Sequence, residues 1–382
     1  MRIALVATDA GGWRLPVPRG ADGPPATDGG ASRGDDGAAD GTTPGAIAPD
    51  REAAPGERPH RQAVAERLGA RGHHVRVFCP RFWAEELGRE VRRAGVSYRG
   101  VASGVGAVFT ARLPVALARF GPHAVHADPT PPSTVLAADA GSRRRPLVVE
   151  WSGVESPDDS WTLRRSLRAP ETVVVPSGLV ATRVRELGVP DDLVRRVPRG
   201  IDTGLLRETE PRDGADVVWG GPLDAAAGLD DLLLALAEHR DRSWSLLVVG
   251  DGPERSRFER QARDLRIADR VRFAGDLPRP ERVARYRDSH VAVHTRDGVP
   301  FAAELLWALA AGCVGVVEYR ESSAAHELVE GRERGLLATT PEELETTLLD
   351  AADHERRDYD PGYERFDNGA VLERYLDCYR SV

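Results

Sequence analysis

Val248-Val-Gly-Asp-Gly-Pro-Glu254 runs an apolar strand into a tight Gly-Asp-Gly turn and places a proline where a helix begins. Proline costs nothing at that point, because the first helical N–H has no partner to lose. Taken alone, the stretch is simply a good β–α turn. The same alternation extends from it in both directions. Downstream, strands are expected at 271–274, 291–295 and 314–318, with helices at 254–265, 280–288, 302–310, 342–352 and 370–379. Upstream lie strands at 216–219 and 245–249 around a helix at 229–238. Earlier still come strands at 2–7, 74–78, 96–101, 124–127, 146–151 and 171–176, with helices at 62–68, 110–119 and 179–187. Short apolar strands alternating with helices imply parallel sheets joined by right-handed crossovers.

Two interruptions divide this pattern. Residues 14–59 are rich in Gly, Pro, Ala and Asp and nearly free of aromatic and branched apolar side chains. Such a segment buries too little surface to offset its ordering entropy, so it is expected to be a disordered insertion in the first β–α connection. The polar stretch after Ile201-Asp202, with Pro211, Asp213 and Gly214, reads as a linker between two doubly wound domains. Ligands of such sheets lie at the carboxyl ends of the strands.

The 382 residues allow two or three domains with real cores. A net charge of −8 argues against a general nucleic-acid binder, which needs a basic field. No lysine is present, which points to a GC-rich genome such as a halophile's, or to codon drift with no physical role. Cys79, Cys313 and Cys378 are isolated, so neither a disulfide framework nor a zinc site is expected, and a reducing cytoplasm fits. No apolar run approaches the ~20 residues needed to span a bilayer. The opening residues lack a leader's long apolar core and read as a strand.

With Arg270-Val-Arg-Phe-Ala-Gly275, the opening stretch resembles glycosyltransferase family 4. The resemblance continues, in order, through Ala70-Arg-Gly-His-His-Val-Arg-Val-Phe78, Val173-Val-Val-Pro-Ser177, Val197-Pro-Arg-Gly-Ile-Asp202, Ala310-Ala-Gly-Cys-Val-Gly-Val-Val317 and His326-Glu-Leu-Val-Glu-Gly331. It implies the α/β GT-B fold, two Rossmann-like doubly wound parallel-sheet domains with a C-terminal helix crossing back. The expected division is an acceptor domain over 1–205, a nucleotide-sugar domain over 206–360 and the returning helix over 361–382. The implied reaction is a metal-free, cofactor-free, retaining transfer from a nucleotide-sugar donor to a glycan, lipid-linked or small-molecule acceptor. A lipid-linked acceptor would need peripheral contact at the inner face of a membrane.

The resemblance also shows where the family's charged groups are replaced. Its donor-gripping Arg and Lys fall on Pro222 and Ala227, and its paired glutamates on Val299 and Trp307. Its histidine positions fall on Ser152 and Asp128. Substitutes are at hand. Backbone amides at Phe301, Ala302, Ala303 and Glu304 open a helix, where unpaired donors and the dipole favour phosphate. Arg199 and Arg296 are candidates for the lost positive charge, each with a structural role as the alternative. Glu304 is a candidate catalytic carboxylate, or a charge that satisfies its own helix dipole. Asp128, beside His126 at a strand end, is a candidate base, and His126 reads equally as a buried strand residue. Gly11 and Gly12 resemble the family's glycine loop, and Gly250 belongs to the turn at the donor site. Trp151 and Trp307 could stack on a ligand, although core packing is the commoner fate. A non-catalytic binding or partner protein on the same fold competes with the enzyme, as does, more weakly, a nucleotide-sugar epimerase.

Overall fold

The computed structural model describes residues 1–8, 59–84, 87–143, 145–155 and 160–380. The expected disordered insertion lies outside the described residues, apart from Pro59. In chain order the first part comprises β1 (Arg2–Val6), α1 (His60–Ala70), β2 (His74–Pro80), β3 (Glu90–Arg93), β4 (Val96–Ala102), α2 (Ala107–Phe120) and β5 (Ala124–Ala127). It continues with α3 (Pro132–Ser142), β6 (Leu147–Glu150), α4 (Trp161–Ser166), β7 (Thr172–Val175), α5 (Gly178–Glu186) and β8 (Val194–Arg196). These strands form an eight-stranded sheet in the order β3-β4-β2-β1-β5-β6-β7-β8. All its pairings are parallel except the hairpin β3–β4.

A parallel sheet is covered on both faces, so its strands are apolar throughout. Along β1, Ala4 and Val6 join a core with Phe109, Leu113 and Leu117 of α2 and with α3 and α5. Ile3 and Leu5 point the other way, to Val64 and Leu68 of α1 and to Tyr375 and Tyr379 near the chain's end.

The stretch read as a linker begins with a helix, α6 (Thr203–Glu208). Its first turn is fixed by Asp202, which accepts from the Leu205 N–H at 2.9 Å, and by Thr203, which donates to Asp367 at 2.7 Å. Both contacts satisfy backbone or hydroxyl groups that composition alone leaves open.

The second part holds β9 (Val217–Gly220), α7 (Leu229–Glu238), β10 (Leu246–Val249), α8 (Arg255–Asp264), β11 (Val271–Gly275) and α9 (Arg279–Arg287). Then follow β12 (Val291–His294), α10 (Ala303–Ala310), β13 (Val314–Glu318), β14 (Gly335–Ala338), α11 (Pro341–Ala352) and α12 (Asn368–Arg380). Its six-stranded sheet runs β11-β10-β9-β12-β13-β14, all parallel. α7, α8 and α11 cover one face, and α9 and α10 the other, together with Tyr363 and Phe366. The last helix, α12, returns to complete the first sheet's core, as the resemblance implied.

Candidate functional site at the ends of the parallel strands

Each sheet has one point where the chain reverses its winding, and ligands of such sheets sit there. In the first sheet the point lies between β1 and β5. Asp128 follows β5, and one of its carboxylate oxygens accepts the Thr8 N–H at 2.7 Å and lies 2.9 Å from the Thr8 hydroxyl. Its other oxygen is ion-paired with Arg61 of α1. The candidate base is therefore buried and held by Arg61 and Thr8.

His126 turns to the opposite face. Its Nδ1 shares a hydrogen bond of 2.8 Å with the Tyr379 hydroxyl, and its Nε2 lies 3.0 Å from Glu150. The Tyr375 hydroxyl also donates to Glu150, at 2.8 Å. Burial alone would raise the Glu150 carboxyl, but His126 and Arg61 hold it far below the usual range. His126 is thus a core histidine that ties α12 to β5 and β6. Trp151 packs in the core on the other face. Gly11 and Gly12 lie outside the described residues.

In the second sheet the reversal falls between β9 and β12. Arg296, just beyond β12, occupies this crevice, but its guanidinium grips both Asp224 oxygens at 2.8 Å and donates to Pro222 O at 3.0 Å. The sequence offered Arg296 as a phosphate ligand; in the structure its charge is answered by a carboxylate from the neighbouring loop. Ala227 is fully buried. Arg199 is half-buried in the connection between the two sheets.

Glu304 opens α10, as the sequence suggested, but it is buried and taken up by a cluster from α9. Arg279 donates to it at 2.7 and 3.1 Å, Arg282 lies at 3.0 Å and the Tyr286 hydroxyl donates at 2.5 Å. Burial would raise this carboxyl; Arg279, Arg282 and the hydrogen bonds bring it down to about 2. Trp307 lies under the same Arg279, whose guanidinium sits 4.8 Å from the ring centroid.

The amides at 301–304 were offered as phosphate donors at the start of α10. Here Val299, Pro300, Phe301 and Ala302 are buried, and the Ala303 N–H bonds back to Phe301 O at 3.0 Å. Gly153 of the first domain lies directly on Pro300: a Cβ there would fall 2.5 Å from the Pro300 Cβ and 2.6 Å from Val180. Beside it, Glu155 accepts from the Ser152 N–H, the Ser152 hydroxyl and the Gly153 N–H at 2.8–3.0 Å. No sequence feature marked this carboxylate, although it stands at the seam between the domains.

An open pocket remains in the second domain, a cavity of about 180 Å³ at the carboxyl ends of β9, β10 and β11. Gly221, Gly252 and Pro253 bring backbone to its walls, and Asp251, Asp276 and Arg282 supply charge. Gly250 makes this shape attainable. Its φ is +139°, and a Cβ there would sit 1.9 Å from Gly221 O. The volume lies below the common range for a whole drug-sized ligand. Carboxylates on the wall disfavour a diphosphate and suit hydroxyl or ring N–H donors. Among the described residues, no group of His, Cys, Asp and Glu is placed to hold a metal ion.

The family described as Glycosyltransferase Family 4 matches residues 60–205, and that described as Glycosyl transferases group 1 matches 214–354. Together these cover more than half of the chain. A D-inositol 3-phosphate glycosyltransferase of Acidothermus cellulolyticus is 29% identical over 177 residues, 39% of this chain and 40% of that protein. A 2-deoxystreptamine glucosyltransferase of Streptomyces kanamyceticus is 30% identical over 136 residues, 32% of this chain and 35% of that protein. The chain thus matches only about two fifths, or less, of the length of these curated relatives. Among solved structures, sucrose-phosphate synthase from Thermosynechococcus elongatus superposes with a TM-score of 0.67 at 17% identity, covering 100% of this chain and 98% of that one. Anabaena HepE in complex with UDP gives 0.65 at 18% identity, covering 85% and 95%. At such identities the structures bear on the fold alone.

Proposed function

We propose that this chain, which belongs to the GT-B glycosyltransferases, binds a nucleotide-sugar in its second domain and transfers the sugar to an acceptor held by its first. In this reading residues 206–360 receive the donor, residues 1–205 the acceptor, and residues 361–382 tie the two together. The observation that carries it is the pocket at the ends of β9–β11, where Asp251, Asp276 and main chain from Gly221 and Gly252 can meet the hydroxyls and ring edge of a nucleoside. HepE, of similar fold, has been solved with UDP and with UDP-glucose, which makes uridine nucleotides the first donors to try.

The family's retaining chemistry needs a positively charged grip on the leaving diphosphate. At its positions this chain has Pro222 and Ala227, with Val299 and Trp307 in place of the glutamates. Arg296 and Arg282 approach from either side, but Asp224 and Glu304 neutralise them. Removing one preorganised donor costs about 10²–10³ in rate, so several losses leave turnover slow.

A second reading, a nucleotide-sugar-binding protein without turnover, is favoured by these internal pairings of Arg296 and Glu304. Incubation with a panel of nucleotide-sugars and glycan, lipid-linked and small-molecule acceptors separates the two. Transfer or donor hydrolysis abolished by Asp276→Ala supports the enzyme. Binding without turnover establishes the second reading.

A further inference from the structure

Where the first domain, the second domain and the returning chain meet, there is a groove of about 330 Å³, separate from the nucleoside pocket and sharing no lining residue with it. Arg196 at the end of β8 reaches it from one side, and Arg365 and Arg374 from the other. Phe301 and Phe366, ring centroids 6.5 Å apart, provide an apolar floor.

What sets this groove apart is that its arginines outnumber its carboxylates. Among the described residues, none of the three arginines forms an ion pair; Arg374 donates a single long bond of 3.4 Å to Arg365 O. The nearby carboxylates are already committed. Glu327, on the groove wall, accepts the Gly178 and Leu179 N–H groups at 2.8 and 2.9 Å. Glu364 is paired with Arg207, and Asp367 with Thr203. In a chain of net charge −8, a groove lined by three arginines and one carboxylate, with Arg365 lying over the Phe366 ring at 4.9 Å, is a local excess of positive charge. Burial and the neighbouring Arg332 and Arg374 lower the Arg365 pKa, the expected mark of crowded like charge that an anion would relieve.

We infer that this groove is a second ligand site, which takes a phosphate-bearing molecule with its anion between Arg196, Arg365 and Arg374 and its remainder over Phe301 and Phe366. Planar guanidiniums hold phosphate oxygens through paired donors. The volume falls within the range of small-molecule sites. Because its walls come from both domains and from the segment leading into α12, an occupant cross-links them. The inference does not depend on sugar transfer.

Inorganic pyrophosphate is the probe, titrated calorimetrically into the full chain. The expected result is saturable binding. Each of Arg196→Gln, Arg365→Gln and Arg374→Gln should weaken it about tenfold or more, as loss of a charged hydrogen bond implies, while exposed Arg112→Gln leaves it unchanged. Unliganded circular dichroism and unfolding midpoint serve as the folding controls. The source of the phosphate is read from vesicles of phosphatidylcholine with one third phosphatidylglycerol. Co-sedimentation lost in Arg196→Gln/Arg374→Gln assigns a lipid headgroup, and pyrophosphate binding without co-sedimentation assigns a soluble phosphate. Absence of saturable binding overturns the inference. So does wild-type affinity in the double variant, which places pyrophosphate elsewhere.

Discussion

Glu304 illustrates how much of a residue's role is set by what folds against it. Its place in the first turn of α10 was legible, but Arg279, Arg282 and Tyr286 arrive from α9, and no spacing rule links the two helices. The same holds for Arg296 and Asp224, which are 72 positions apart, and for Asp128, whose partners Thr8 and Arg61 lie on either side of the insertion. Buried charges find partners because unpaired ones are costly, and composition does not tell which partner wins. Glu304→Gln removes one charge and leaves two buried guanidiniums uncompensated. It should destabilise the fold by about 3–5 kcal/mol, measured by urea unfolding at pH 7. The pH dependence follows from the depressed pKa. The unfolded carboxyl titrates near 4.5 and the folded one near 2, so its stabilisation is complete above 4.5 and is lost as pH falls toward 2. Wild-type stability should therefore decline below about pH 5, and Glu304→Gln should flatten part of that slope. An unaltered slope would mean that the Arg279–Glu304–Arg282 cluster contributes little.

Among the elements, those with strong apolar runs and glycine or proline punctuation were legible nearly to the residue; α7 and β13 fall where the sequence places them. Several elements escaped, among them α3 and β14, which are short or rich in small residues, and others of weak pattern. β3 is Glu-Val-Arg-Arg, an edge strand held by its hairpin to β4. α6 lies in a polar stretch and depends on Asp202 and Asp367. The Gly-Asp-Gly turn after β10 was read correctly as a tight turn. Only the structure shows the reason for Gly250, which is the approach of Gly221 O. Gly250→Ala must relieve both that collision and a φ of +139°. A loss of at least ~1–3 kcal/mol is expected in thermal or urea unfolding, with weaker donor binding because Gly221 lines the pocket. Full stability in this variant would show that the turn relaxes freely.

The whole molecule is governed by the seam between its two sheets. Two Rossmann-like domains and a returning helix were implied by strand–helix alternation and by the resemblance. The closure of the seam was not, because it rests on Gly153 fitting Pro300 and on Glu327 of the second domain capping α5 of the first. Among the described residues, no helix is long and apolar enough to cross a membrane. Glu327→Ala leaves the Gly178 and Leu179 N–H groups without their carboxylate while Ser177 still caps Val180, and should cost about 0.5–2 kcal/mol by analogy with other helix caps. Small-angle scattering should then show a larger radius of gyration, and hydrogen exchange at Gly178 and Leu179 should quicken. An unchanged radius would show that the Gly153–Pro300 contact and α12 suffice to hold the domains together. The account turns on whether the pocket at the ends of β9, β10 and β11 receives a nucleotide-sugar, and calorimetric titration of UDP-glucose and other donors into the full chain tests this most directly. Saturable binding of at least one donor, weakened about tenfold by Asp276→Ala, is the predicted result. No binding of any donor, or binding indifferent to Asp276, would contradict it.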